Sequence, residues 1–200
     1  MIKRLALLAA LAAPQQAAAH AFESGQDTFA LILQGLSQPW LMLPVAILLI
    51  GLGMLAGILR EEAAIAIWPA MILGTVLGLG LGPFVPQFEV VWLMAAALIV
   101  ALLGIAALPL PGLLVPLIAF LATALPSRFL MEAHAFGELP IPFVIGMGLG
   151  ITTCAALAAG LVQATRERIQ HGALVIGWRA LISWVGAMAI LMMAFEMRPI

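Results

Sequence analysis

The sequence predicts an all-α membrane protein: a six-transmembrane-helix bundle following a cleavable signal peptide. Three observations carry that reading. Of the 200 residues, 65% are hydrophobic and only 8% charged, with a mean hydropathy of +1.21, whereas soluble globular domains carry roughly 25% charge. Long runs of Leu, Ala, Ile, Gly and Met suit helices, while the lack of tyrosine and of ten-residue alternation leaves little for a transmembrane barrel. The third observation is the junction Ala17-Ala18-Ala19-His20. With Lys3-Arg4 and the apolar stretch 5–13 before it, it has the form of a secretory leader ending in a small-residue cleavage site.

The elements follow in order. Residues 1–19 read as the signal peptide, so His20 is expected to be the first mature residue and to lie outside. Residues 20–38 read as a periplasmic N-terminal segment in which Phe29, Ile32, Leu33 and Leu36 recur at helical spacing, as in a short amphipathic helix on the outer surface. Residues 39–200 form the transmembrane domain. About 20 apolar residues make one crossing, which gives spans at 39–59, 63–81, 90–107, 113–125, 142–162 and 174–195. Arg60-Glu61-Glu62 ends the first, Gly82-Pro83 the second, and Glu89 precedes the third. Pro109-Leu110-Pro111-Gly112 turns the chain into the fourth, which is short and carries Pro116. Residues 126–140 read as the longest extramembrane loop, with Arg128, Glu132, His134 and Glu138. Arg166-Glu167-Arg168 marks the turn after the fifth span, and Pro44, Pro69 and Pro116 are expected to bend their helices.

Charge placement agrees with the leader. With the mature N-terminus outside, the inner turns hold Arg60, Arg166, Arg168 and Arg179, and the outer side only Arg128 and Arg198. An even number of spans returns the C-terminus to the periplasmic side, and the expected location is the bacterial inner membrane. Removal of Lys3 and Arg4 leaves six basic against nine acidic residues, a net charge of −3, with Glu23, Asp27, Glu89, Glu132, Glu138 and Glu196 on an acidic outer face. That balance gives no footprint for nucleic acid. The bilayer is the expected partner. Gly53 and Gly57, then Gly74, Gly78 and Gly82, then Gly146 and Gly150 recur four apart, the pattern that lets helix backbones approach closely.

Few residues offer chemistry. No histidine falls in a span, which argues against a b-type haem, and no nucleophile, zinc-protease or phosphate-loop motif occurs. The expectation is therefore not an enzyme, with no firm cofactor. Thr152-Thr153-Cys154 is the one polar knot in a span; threonines there bond back to their own helix more often than they bind a ligand. The lone Cys154 reads as a small buried hydrophobe, Arg179 as a snorkelling cation beside the aromatic anchor Trp178, and His171 as surface. On the outer face, His20 at a new N-terminus offers an amine and an imidazole able to chelate a transition metal. Asp27, Glu132 and His134 are candidate further ligands, with Met131 as a soft donor. Met42, Met188 and Met192 read as packing residues, with a soft ion such as Cu(I) as the alternative.

Ala133-His134-Ala135-Phe136-Gly137-Glu138-Leu139-Pro140 resembles the histidine-rich outer loop of the HupE/UreJ family, whose pattern is roughly His-Ala-His-Gly followed by an acid and a proline. Residues 146–154 resemble that family's fifth span and residues 177–195 its closing helix. The plan of a leader ending before a histidine, a short outer segment and six spans is similar over essentially the whole length. The resemblance implies metal permeation, of nickel or cobalt beside hydrogenase and urease systems or of other metals such as copper. It carries over His20 and His134 only. Where the family has His-Pro-x-x-Gly-x-Asp-His at its first span, this chain reads Ser37-Gln38-Pro39-Trp40-Leu41-Met42-Leu43-Pro44-Val45, keeping the proline alone. Where the family commonly has a histidine in its fifth span, this chain has Thr153 or Cys154. The two expectations are thus a divergent member acting as a transition-metal permease or outer-face metal binder, and a non-transporting accessory subunit docked on a larger membrane complex through its glycine-lined faces.

Overall fold

The computed structural model describes residues 27–59, 61–84, 89–106, 110–132, 134–169 and 172–197. All its regular elements are helices: α1 (Thr28–Leu41), α2 (Leu43–Ile58), α3 (Glu61–Leu81) with a 3-10 turn at Gly82–Phe84, α4 (Val90–Ala106), α5 (Leu114–Met131), α6 (Ile141–Arg168) and α7 (Gly172–Glu196). The predicted leader, His20 and the rest of the segment before Asp27 lie outside the described residues. Among the described residues, four stretches are long and apolar enough to cross a membrane: Ile67–Phe84, Leu114–Met131, Ile141–Arg168 and Gly172–Glu196. The pair α1 and α2, bent by 82° between them, brings the number to five when taken as one broken span, and α4 is a shorter apolar helix of 17 residues. The chain is a multi-pass, membrane-type helical protein.

The glycine stripes set the helix partners. On α3, a methyl group at Gly74 would overlap the Phe120 carbonyl, one at Gly78 the Ala124 carbonyl, and one at Gly82 would press on Met131, so α3 and α5 run side by side in parallel. Across that seam the buried Thr123 hydroxyl lies 3.1 Å from the Met71 carbonyl and 2.9 Å from that of Ala119, its single proton shared between a neighbouring helix and its own. Gly53 and Gly57 of α2 meet Ala155 and Val162 of α6 in the same way, and Gly146 and Gly150 of α6 meet Ile32 and Leu36 of α1. With no hydrophobic drive between helices in lipid, such close backbone approach supplies van der Waals contact that larger residues would prevent.

These pairings fix direction. Both α1 and α2 ascend along the 28-residue α6 in its own sense, whereas α3 runs against α6: Ile67 and Met71 border one gap with Ala155 and Gln163, and Leu79 and Gly80 another with Ile141 and Val144. In α4 and α7, Gly104 faces Ile182 and Ala101 faces Gly186, which is antiparallel. The buried α2 stands in the centre, Gly51 touching both Val185 and Val100. One end of the molecule therefore gathers Asp27, the turn after α3 and residues 132–140. The other gathers the end of α2, the end of α6 and the start of α7.

Several elements differ from the sequence reading. The segment expected to lie along the outer surface is helical from Thr28 onward, and only part of its apolar stripe faces inward: Ile32 and Leu36 meet Gly146 and Gly150 of α6 beside the buried Gly35 and Pro39, while Phe29 and Leu33 are exposed. The chain breaks at Met42, whose ψ of 99° is extended, and Pro44 opens α2 rather than kinking it, because a proline tolerates the first helical turn, where no N–H partner is needed. The same reason seats Pro116 in the first turn of α5. Pro126 does not end the fourth span: α5 continues through it to Met131, which shortens the expected loop from 126–140 to 132–140. The fifth span is longer than expected, with α6 reaching Arg168.

Candidate functional site

Residues 132–140 cap the end of the molecule where the metal donors were expected, and a turn shapes them. The Glu138 N–H donates to the Ala135 carbonyl at 3.1 Å, and Gly137 between them has φ +80°. This is the left-handed position that a type II turn requires and that glycine adopts without steric penalty. Two anchors hold the turn in place: the Phe136 ring lies 5.3 Å from the Phe84 ring at the end of α3, and Leu139 is buried.

The turn brings His134 and Glu138 together. One Glu138 oxygen, Oε2, accepts the Ala135 N–H at 2.7 Å; the other, Oε1, stands 3.7 Å from His134 Nδ1. That is beyond hydrogen-bond length, and His134 Nδ1 is buried with no hydrogen-bond partner. A nitrogen and an oxygen at this separation can both reach one ion through bonds of about 2.1 Å. The donor chemistry fits a borderline transition metal.

The other expected ligands are placed less favourably. Asp27 is the N-cap of α1, exposed, with its side chain making no capping hydrogen bond. The parallel packing of α1 and α6 puts it at the same end as His134. Glu132, half-buried, is the C-cap of α5. Among the described residues no three His, Cys, Asp or Glu side chains are close enough to hold an ion together, so Asp27 and Glu132 do not join His134 in a ready ligand set. His20 lies outside the described residues. Met131, expected as a soft outer donor, is instead buried where α5 packs on Gly82. The partner of His134 that sequence reasoning left out of the site is Glu138; its i,i+4 spacing was the available signal, although the turn rather than a helix realises it.

Within the spans, polar groups are few and mostly self-satisfied. Thr152 bonds back to Gly148 and Leu149, and Thr153 to Leu149 and Gly150. Cys154 is buried, Met42 and Met192 pack at the core, and Met188 is exposed. Ser127 donates to the Thr123 carbonyl at 2.6 Å. Thr75, whose i−4 carbonyl on Met71 receives the Thr123 hydroxyl, is buried with its own hydroxyl unpartnered. A groove of about 690 Å³ between α3 and α6, lined also by Phe136 and Leu139, has no titratable side chain in its lining.

At the opposite end, Arg166 Nη1 donates to the carbonyls of Gly57 at 2.8 Å and Ile58 at 2.9 Å. It satisfies orphan carbonyls at the C-terminus of α2, where the helix dipole also favours a cation. Trp178 Nε1 donates to Thr165 Oγ1 at 3.0 Å and ties α7 to α6. Comparison with protein-family models, curated proteins and solved structures finds no match to this chain.

Proposed function

We propose that this chain is a divergent HupE/UreJ-like protein of the bacterial inner membrane that binds a transition-metal ion, of the nickel, cobalt or copper class, at its outer face. The observation that carries the proposal is the His134–Glu138 pair: an orphaned imidazole nitrogen 3.7 Å from a carboxylate oxygen, on a turn anchored to two helices. Two protein ligands leave an ion under-coordinated. The α-amine and imidazole of His20, freed by cleavage after Ala19, would complete four donors. Asp27, at the same end of the molecule as His134, stands seven residues after His20 in the sequence, and seven residues span at most about 25 Å when extended.

Capture at the outer face is better supported than passage through the bundle. A cation crossing lipid needs groups that replace its hydration water. At the place of the family's first-span motif this chain has Pro39 seated against Gly150, and the threonine hydroxyls of α6 are turned to their own carbonyls. On this reading the chain makes six passes, with α1 and α2 as one broken span and α4 as a short one, and both mature termini are periplasmic. The alternative, an accessory subunit of a larger complex, has less to rest on, because the recurring glycines are used in contacts within the chain.

The test is equilibrium binding of Ni(II), Co(II) and Cu(I) to the purified mature protein. The proposal expects at least one ion to bind with an affinity that falls by at least about tenfold in both His134→Ala and Glu138→Gln. Cys154→Ala is expected to bind as the parent does. Unchanged affinity in the two site variants contradicts the outer-face site.

A further inference from the structure

Among the described residues, two guanidinium groups at the end opposite the metal site have no ion pair. Arg179, in the second turn of α7, is partly buried, and its Nε is buried with no hydrogen-bond partner. Arg168, the last residue of α6, is exposed, and among the described residues neither arginine has an ion pair. Their neighbour Arg166 is committed to the carbonyls of α2. Glu167 is exposed and pairs with neither. The Trp178–Thr165 hydrogen bond of 3.0 Å fixes the register of α6 against α7. Arg179 follows Trp178 and Arg168 lies three residues past Thr165, so both stand within about one helical turn of that bond.

We propose that Arg168 and Arg179 form a binding site for the phosphate of an anionic phospholipid in the inner leaflet. A partly buried guanidinium carries a desolvation cost that an anion must offset, and its planar fork matches phosphate oxygens in pairs. The chain offers no described carboxylate for this role. The bilayer supplies the complementary charge, since basic pockets between helices on the cytoplasmic side take anionic head groups. Ile176 and Leu181, both exposed on α7 on either side of Arg179, provide an apolar surface for the acyl chains. The site rests on the membrane assignment and on the orientation proposed above, and is independent of the metal reading.

Native mass spectrometry of the full-length protein in detergent micelles, titrated with phosphatidylglycerol or phosphatidylcholine, tests this. The expected result is preferential retention of phosphatidylglycerol, weakened at least about fivefold by Arg179→Gln and by Arg168→Gln, largely kept by Arg179→Lys, and not displaced by millimolar inorganic phosphate. Equal retention of the two lipids, or phosphatidylglycerol binding unchanged in both glutamine variants, overturns the proposal. Displacement by inorganic phosphate also overturns it, showing a site for free anions instead. Should Arg179→Gln fail to fold, Arg168→Gln decides the question alone.

Discussion

His134 and Glu138 meet because Gly137 takes a φ of +80°, and this conformation is the most exposed point of the site to a single change. No atom lies within 4 Å of where a Cβ on Gly137 would sit, so a substitution there meets backbone strain alone. Gly137→Ala is expected to cost about 1–2 kcal/mol of turn stability, read as weaker metal binding with the helical signal unchanged. Gly137→Asn is expected to be milder, because asparagine visits the left-handed region more readily. The sequence made His134 visible through its type and its outer position. It did not distinguish Glu138 from Glu132, since an acid four residues away and one two residues away look equally near until a turn is formed. Met131 was misplaced for a related reason: the proline at 126 implied a loop, and the helix that runs on through it carries Met131 into the core.

At the scale of elements, the small residues set which helices pair. Gly78 of α3 is backed by the Ala124 carbonyl and by Ser127, whereas Gly177 of α7 has nothing within 4 Å of a Cβ position. Gly78→Val is therefore expected to lower stability by about 1–3 kcal/mol or to prevent folding. Gly177→Ala is expected to be neutral or stabilising by up to about 1 kcal/mol; thermal unfolding of the two variants in one detergent compares them. Hydropathy located α3, α4, α6 and α7 to within a few residues, apart from the C-terminal extension of α6, because long apolar runs bounded by charge leave little choice. It did not locate the 82° break at Met42 or the packing of α1 on α6. That packing follows from Gly35 and Pro39 nesting against α6 where Gly146 and Gly150 admit the backbone of Ile32 and Leu36, a tertiary contact that helical spacing alone does not contain.

For the whole molecule, the helix directions divide the charges into two ends. Asp27, Glu132, His134 and Glu138 lie at one, together with Arg128; Arg166, Arg168 and Arg179 lie toward the other, together with Glu167, and there Arg166 closes α2. With the metal site outside and the arginines inside, a reporter fused after Ile200 is expected to register as periplasmic and one inserted after Arg168 as cytoplasmic. The same side for both would remove one crossing from the account. The glycines that recur four apart, from Gly53 to Gly150, are occupied by contacts within the chain, which favours function at the turn of residues 132–140 over docking through those stripes.

The central claim is that His134 ligates a metal ion, and the measurement closest to it is metal-edge X-ray absorption of the mature protein loaded with Ni(II). Imidazole scattering together with light oxygen or nitrogen neighbours is expected, with the imidazole component reduced by about half in His134→Ala, since His20 supplies the other ring. A spectrum identical in that variant, or one dominated by sulfur, would contradict it.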